Sequence, residues 1–424
     1  MSSREQANGK SPANHDRKPS LLLISHTYVV KEHAKKLPEL ARHFDLTCVT
    51  IRPEDLGTLY GLEGEHFGGD GVQGDFRLVA LPAWGSVASV TRFFLRGLTS
   101  IIWSRTWDYV LVENEPWSFL KWQTLLACRL AGHVRHCGEF TWENVRRPGL
   151  KGAVLSLFYR ATAGWSDFVI AGNRAAAEIV RRYGVAADRV KVCPQVGVDA
   201  DSHRAPVASV KAALRTKWSL PAEGFVVGFA GRFVAEKGVS DLVGAVEGLP
   251  ADIRGGARGL HLMMIGHGPL KEGLLKRTSD TWLHVKDAVP HHELPEFLRC
   301  LDLLILGSHP VMRDGQYWEE QFGHILIEAT ACGALACGST SGAIPEVLDD
   351  PELTFSPGDV PAIQSLIERH YFDRALLERK KGQQHARLMN HYTHAAVADR
   401  CAKFLLSLPE RNSDTLPSAF PCHP

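Results

Sequence analysis

Short, continuous apolar runs recur along this chain with helix-patterned stretches between them, and that alternation limits the possible folds more than any other feature. In the second half the runs are Phe225 to Ala230, Leu260 to Ile265, Leu301 to Leu306 and Ala334 to Cys337. In the first half they are Ser20 to Ser25, Leu46 to Ile51, Phe76 to Leu81, Tyr109 to Val112, Val134 to Cys137 and Phe168 to Ala171. Apolar runs of this length without polar alternation fit strands covered on both faces, the condition of parallel sheets. Lys31 to His43, Leu150 to Gly164, Val239 to Val246 and Leu270 to Lys276 carry the intervening helical pattern. The expected class is α/β, with doubly wound sheets. A chain of 424 residues is too long for one ordinary core, so two domains are expected.

The stretch from Glu319 to Gly342 carries the strongest chemical signal. Seven residues separate Glu320 from Glu328. Ile325, Leu326, Ile327, Ala329 and Ala331 set Glu328 in an apolar helix, where an unpaired carboxylate is strongly disfavoured, so Glu328 requires a partner. Glu320 precedes the expected helix start. There the N–H groups of Phe322, Gly323 and His324 lack intrahelical acceptors and the dipole end is positive, which suits a phosphate. Gly333 is a natural helix stop, and Pro345 opens the next helix. Upstream, Gly231-Arg232-Phe233-Val234-Ala235-Glu236-Lys237-Gly238 follows the Phe225 to Ala230 run, at the strand end where open parallel sheets bind ligands. Arg232 offers a planar fork to phosphate oxygens and Lys237 a mobile point charge.

These segments, with Gly342-Ala343-Ile344-Pro345-Glu346-Val347 after them, resemble the signature of retaining GT-B-fold glycosyltransferases of family 4, the glycosyl transferases group 1. Gly266-His267-Gly268-Pro269 and Val285 to Pro290 resemble two further segments of that family, with Asp287-Ala288 where a glycine is more usual. The resemblance is strong over the second half and general over the first. It implies two Rossmann-like domains facing a cleft: an acceptor-binding domain over 19–200 and a nucleotide-sugar domain over 205–384. A helix over 385–408 would cross back to the first, between disordered ends at 1–18 and 409–424.

The activity implied is transfer of a sugar from a nucleoside diphosphate sugar to an acceptor hydroxyl with retention, without cofactor or metal. On the donor side the resemblance places Gly231, Arg232, Lys237, Gly266, Val289, Glu320, Phe322, Gly323, His324 and Glu328. Arg232 and Lys237 would stabilise the leaving diphosphate, Glu320 would contact the donor sugar, and Glu328 would hold the ribose hydroxyls. The acceptor is open between lipid, glycan and small aglycone.

The first domain departs from the family pattern. The loop Ser25-His26-Thr27-Tyr28 lacks the usual glycine pair, and Thr141 stands where the family's His would align. Glu143 and Glu115 are the nearest titratable substitutes, with His26 and Trp142 completing an acceptor-side set in which Trp142 could stack on a sugar. Glu143 is also readable as a helix-start carboxylate. His291-His292-Glu293 are adjacent in one loop and converge poorly on an ion, so no metal site is expected. Trp84 to Trp107 interleaves aromatics with Arg92, Arg96 and Arg105; it reads as a helix resting on a membrane surface or, preferably, as a buried helix. Gly69-x-Gly71-x-x-Gly74 precedes a strand instead of following one, so it reads as a loop and not a dinucleotide fingerprint.

Other classes fit less well. A net charge of +1 and no long Lys/Arg block argue against nucleic acid. Nine cysteines without a C-x-x-C pair suit a reducing compartment. With no apolar leader in the first eighteen residues, a soluble cytoplasmic protein is expected, a peripheral contact at the inner membrane face being the variant reading. A dehydrogenase would need a glycine-rich turn after the first strand, which Ser25 to Tyr28 does not supply. A same-fold epimerase or phosphorylase, or a non-catalytic sugar-nucleotide-binding protein, would share the cleft. The four charged residues Arg232, Lys237, Glu320 and Glu328 favour the transferase.

Overall fold

Ten of the strands in the two central sheets draw on the ten apolar runs, and those runs are buried along nearly their whole length; β1 (Ser20–Ile24) is buried at every position. The structure, a computed structural model, describes residues 17–409 apart from 57–64, 68–69, 86–88, 90, 146, 148, 278–279 and 314–315. After β1 come α1 (Lys36–Ala41), β2 (Asp45–Ile51), β3 (Gly71–Gln73), β4 (Phe76–Leu81), β5 (Ala83–Gly85), β6 (Phe93–Leu95) and α2 (Leu98–Trp103). The first half continues with β7 (Trp107–Glu113), α3 (Phe119–Ala131), β8 (Val134–Thr141), α4 (Gly149–Trp165), β9 (Phe168–Ala171), α5 (Arg174–Arg182) and β10 (Val190–Val192). The second half opens with α6 (Ala208–Lys217), β11 (Phe225–Ala230), α7 (Val239–Glu247), β12 (Leu260–Ile265), α8 (Lys271–Leu275), β13 (Leu283–Lys286) and α9 (Leu294–Arg299). It closes with β14 (Leu303–Leu306), β15 (Val311–Arg313), β16 (Gln316–Trp318), α10 (His324–Ala331), β17 (Leu335–Ser339), α11 (Ile344–Leu348), β18 (Thr354–Phe355), α12 (Val360–Phe372), α13 (Arg374–His391) and α14 (His394–Leu406).

The first sheet has the order β10-β9-β8-β7-β1-β2-β4-β3, parallel except for β3 against β4. The second is wholly parallel, in the order β13-β12-β11-β14-β17-β18. In both, the winding direction reverses once, between β1 and β7 and between β11 and β14, and such switch points open a crevice beyond the strand carboxyl ends. Phe225, Val227, Leu262, Leu303 and Leu335 lie fully buried in the second core, each contributing about 1.5–3 kcal/mol of apolar burial.

Two chain segments join the halves, and they run side by side. The Val198 N–H donates to the Tyr392 carbonyl at 2.8 Å, and the His394 N–H to the Val198 carbonyl at 3.2 Å. Beyond this crossing, α14 seats Val397, Cys401 and Leu405 in the first core.

Several local expectations are corrected. The helix expected over Lys31 to His43 shortens to α1, because Pro38 lacks an N–H and fits only near a helix start. Gly71 to Gly74 is a hairpin against β4, not a loop; Gly69 lies outside the described residues. Trp84 to Trp107 is not one helix but the β5–β6 hairpin followed by α2, since Phe93 and Leu95 point into the core while Phe94 points away, a period of two. β8 runs on to Thr141, because the Glu139 carboxylate is paired with Lys121 at 3.1 Å and can lie inside the sheet. α13 passes Gln384 and ends at His391, so the last helix starts not at 385 but at His394, where Thr393 caps it. The expected disordered ends fall almost wholly outside the described residues.

Candidate active site

At the second switch point the loops after β11 and β14 meet the segment before α10. The Glu320 carboxylate accepts from Lys237 Nζ at 2.6 Å and from Ser308 Oγ at 2.7 Å. Lys237 also lies over the Trp318 ring, 4.9 Å from its centroid. Arg232 stands on the same loop as Lys237, 3.6 Å from Glu236. The loop ends approach closely: a Cβ on Gly266 would lie 1.8 Å from the Gly231 carbonyl oxygen, so side chains are excluded there. Gly342 performs the same office for Glu320, whose carbonyl oxygen would be 2.0 Å from an added Cβ. Gly323, left-handed, caps α10, so its open N–H groups begin at His324, one or two residues later than expected. Val289 packs at the edge of the second core.

Glu328 has the partner that its apolar surroundings demand, supplied by its own helix. His324 Nδ1 lies 3.3 Å from the Glu328 carboxylate and His291 Nε2 3.5 Å. Burial opposes the charge on Glu328, yet the His324 hydrogen bond and the charges of His324, His291 and His203 outweigh it and pull the carboxyl down to about 2. Burial likewise opposes charge on His324, but Glu328 raises it above the ordinary imidazole value. Glu328 opens on a cavity of about 270 Å³ between the two halves, to which His33, His203, His291, His324 and His394 contribute. Among the described residues no group of three or more His, Cys, Asp or Glu is arranged to hold a metal ion.

Across the cleft, the segment after β8 faces Glu320. Asn144 Nδ2 donates to the Glu320 carbonyl at 3.2 Å, and Asn173 Nδ2 to the Gln321 carbonyl at 2.8 Å. Glu115 accepts from Thr141 Oγ1 at 2.5 Å and from the Trp142 N–H at 3.1 Å. Glu143 is buried, with one oxygen on Arg147 at 2.9 Å and the other, Oε1, without a hydrogen-bond partner in the described protein. Burial pushes its carboxyl up to about 7, with Arg147 opposing and Glu115 adding to the rise.

Trp142 is placed differently from expectation. Its ring is wedged between Phe140 and Phe322, at 5.2 and 5.7 Å, and its Nε1 donates to Gln195 at 3.2 Å, so it joins the halves instead of offering a stacking face. His26 sits beyond β1 against Phe93, its imidazole driven down to about 4 by burial and by His33. The structure thus gathers Lys237, Glu320, Phe322 and Asn144 around one cleft, whereas the Glu143 carboxylate turns into a small pocket of the first unit with Arg147, Tyr159 and Tyr183 and His26 lies apart at the first switch point. Sequence reasoning missed Ser308, Asn144 and Asn173. Ser308 had a signal, since it follows directly on a buried strand at a switch point; the two asparagines had none.

Two doubly wound units facing a cleft, with an anion-ready helix start and paired loops at its floor, define a GT-B protein. Residues 210–387 match the family model described as glycosyl transferases group 1. A D-inositol 3-phosphate glycosyltransferase of Xylanimonas cellulosilytica is 34% identical over 199 residues, 44% of this chain and 43% of that protein. The lipopolysaccharide core biosynthesis glycosyltransferase LpsE of Rhizobium meliloti is 27% identical over 46% of this chain and 54% of its own length. The chain therefore spans about half the length of the curated relatives it matches. Anabaena Alr3699/HepE, solved in complex with UDP, shares the fold with a TM-score of 0.64 at 15% identity, over 92% of this chain and all (100%) of that one. WaaG, a glycosyltransferase involved in lipopolysaccharide biosynthesis, does so with a TM-score of 0.58 at 12% identity over 91% of this chain and 100% of its own.

Proposed function

We propose that the protein is a retaining glycosyltransferase that moves a sugar from a nucleoside diphosphate sugar to an acceptor hydroxyl. The observation that carries this reading is the meeting of Lys237, Glu320 and Ser308 at the second switch point, beside the open start of α10. A diphosphate set there would have Arg232, Lys237 and the α10 N–H groups around its oxygens. Glu328 would turn its carboxylate to the ribose hydroxyls, and Glu320 to the transferred sugar. The bond from the anomeric carbon to the phosphate oxygen breaks while the acceptor oxygen bonds to the same face, and the acceptor proton passes to the departing phosphate. The chain's part is positioning and charge stabilisation, which supplies much of a barrier reduction without a covalent intermediate. Two fixed cations and a helix end carry the leaving charge, so the reading does not call for a divalent ion.

On the acceptor side, Glu143 is assigned to hold the acceptor hydroxyl or a donor-sugar hydroxyl, with Glu115 fixing its loop. UDP in the HepE complex supports trying uridine diphosphate sugars first. The test is release of nucleoside diphosphate, and mass spectrometry of products, over a panel of sugar nucleotides with chelator present. Release from one donor with a glycosylated product is the expected result. No release from any donor by protein that binds nucleoside diphosphate would reject transfer, and activity lost to chelator but restored by metal would reject the metal-free step.

A further inference from the structure

Four neighbouring elements of the first unit, α2, α3, α4 and the β5–β6 hairpin, leave large apolar side chains in water. On α3 these are Phe119, Leu126 and Leu130, on α4 Leu150, Val154 and Leu157, and beside them Trp103 and Trp84; Leu150 is 83% exposed and Leu130 67%. Spacings of seven and four in α3, and of four and three in α4, put each helix's three residues on one stripe. The stripes are continuous, because α3 lies in the middle. Trp122 of α3 meets Phe158 and Trp165 of α4 at 5.7 and 5.1 Å. On its other side Gln123 Nε2 donates to the Leu95 carbonyl at 2.8 Å, and Phe119 stacks on Phe94, which packs against Trp84. A solvent face of this extent on a folded chain marks an interaction site.

Charge selects the partner. Residues 83–107 contain no carboxylate, and residues 117–165 contain two, Glu139 and Glu143, both buried. Arg92, Arg96 and Arg160 are exposed around the apolar centre. An apolar stripe with cationic residues and no exposed carboxylate on its own segments fits the interface of a negatively charged bilayer; from a neighbouring element, Asp55 accepts from the Ala83 N–H at 2.9 Å at one edge of the face, next to the exposed Glu54. No helix among the described residues is long and apolar enough to cross one, so the contact is made by lying on it.

We infer that α3, α4 and the β5–β6 hairpin dock on an anionic lipid surface, and that the cleft beside them takes an acceptor carried by a membrane lipid. The cleft is near: Asn144, which donates to the Glu320 carbonyl, lies in the segment that leads into α4, whose first turn carries Leu150. The docking clause stands on the surface alone, while the acceptor clause rests on the transfer reading.

The experiment is flotation of the full chain with phosphatidylcholine vesicles, with and without phosphatidylglycerol. The wild type is expected to float with the anionic vesicles and to be released by salt. Leu150→Glu/Leu157→Glu, with unchanged melting temperature, should float at least about tenfold less. Equal flotation of the two proteins, or none by the wild type, overturns the docking clause. So does a wild-type dimer in chromatography that the double variant splits without any vesicle binding, since a second copy would then own the face. In isolated membranes, label from the donor sugar should enter the organic extract with the wild type and fall in the double variant, nucleoside diphosphate binding being equal. Label confined to water-soluble product overturns the acceptor clause. Flotation without release from any donor would overturn that clause together with the transfer reading and leave the docking face standing.

Discussion

Lys237 and Glu320 reach each other at 2.6 Å from segments that follow different strands, so the pair ties the loop after β11 to the segment before α10. On the proposed reading, a donor phosphate arriving there would compete with Glu320 for the ammonium, and Glu320 would hold Lys237 at the place where the leaving charge develops.

Lys237→Ala and Arg232→Ala should each lower kcat at least about tenfold with little change in melting temperature. Glu320→Gln should depress turnover without weakening nucleoside diphosphate binding, because it releases Lys237 to the phosphate. The Lys237→Ala/Glu320→Gln double variant should lose less than the two single losses combined. Steady-state kinetics and calorimetric titration check all three, and wild-type kcat in Lys237→Ala would refute the assignment.

Glu328→Gln should weaken nucleoside diphosphate binding measured by the same titration. The Glu328–His324 pair also has a pH window. The Glu328 carboxyl falls from 4.5 to about 2 on folding, so its contribution is present above the unfolded value and lost as pH falls toward 2. His324 is raised above 6.5, so its contribution is present below that value and lost as pH rises through the folded one. The stability gap between wild type and Glu328→Gln should therefore be widest at pH between those unfolded values. Urea titrations across that range would show it, and a gap independent of pH would contradict the pairing.

His394 behaves oppositely. Its Nδ1 accepts the Gly197 N–H at 3.3 Å, which requires an unprotonated ring nitrogen, and burial and the His324 charge push the imidazole down to about 3. Its unfolded form takes up a proton below 6.5 while its folded form does not, so stability falls with acidification by about 1.4 kcal/mol per pH unit. His394→Asn should flatten the fall in melting temperature below that pH.

Glu143→Gln should depress transfer while leaving donor affinity nearly intact. With its carboxyl lifted to about 7 by burial, Glu143 gains its charge only as pH rises through that value, so wild-type kcat should carry a rising limb there. The variant should lack the limb, and an identical pH profile would return Glu143 to a purely structural role.

Gly342→Ala should damage function more than fold. The position has φ of +55°, and the new Cβ would meet the Glu320 carbonyl oxygen at 2.0 Å. Relief by moving Glu320 separates it from Lys237, so kcat should drop while the melting temperature changes by only a few degrees, for a strain of about 1–3 kcal/mol.

How much of this was readable in the sequence follows from how far apart the partners lie. Arg232 with Lys237 sits in a short segment after a buried strand, and Glu320 with Glu328 spans the start of one apolar helix, so spacing and position were enough to nominate them. The strand through Glu139 was cut short because the Lys121 that neutralises it lies on a different element. The histidine cavity could not be read at all, since His33, from the first half, and His203, His291, His324 and His394 stand far apart in sequence and line one space only in the folded chain. Trp84 to Trp107 misled because aromatics fit a hairpin and an amphipathic helix equally well until the buried partner of each is known.

The position of α14 has a consequence for biosynthesis. Phe404 meets Phe168 edge-on at 6.1 Å inside the first core, so the half of the polypeptide that a ribosome makes first waits for a helix made after the whole of the second half. A nascent chain that stops at His391 would present that uncovered groove to chaperones, and the protein's two halves would mature together or not at all.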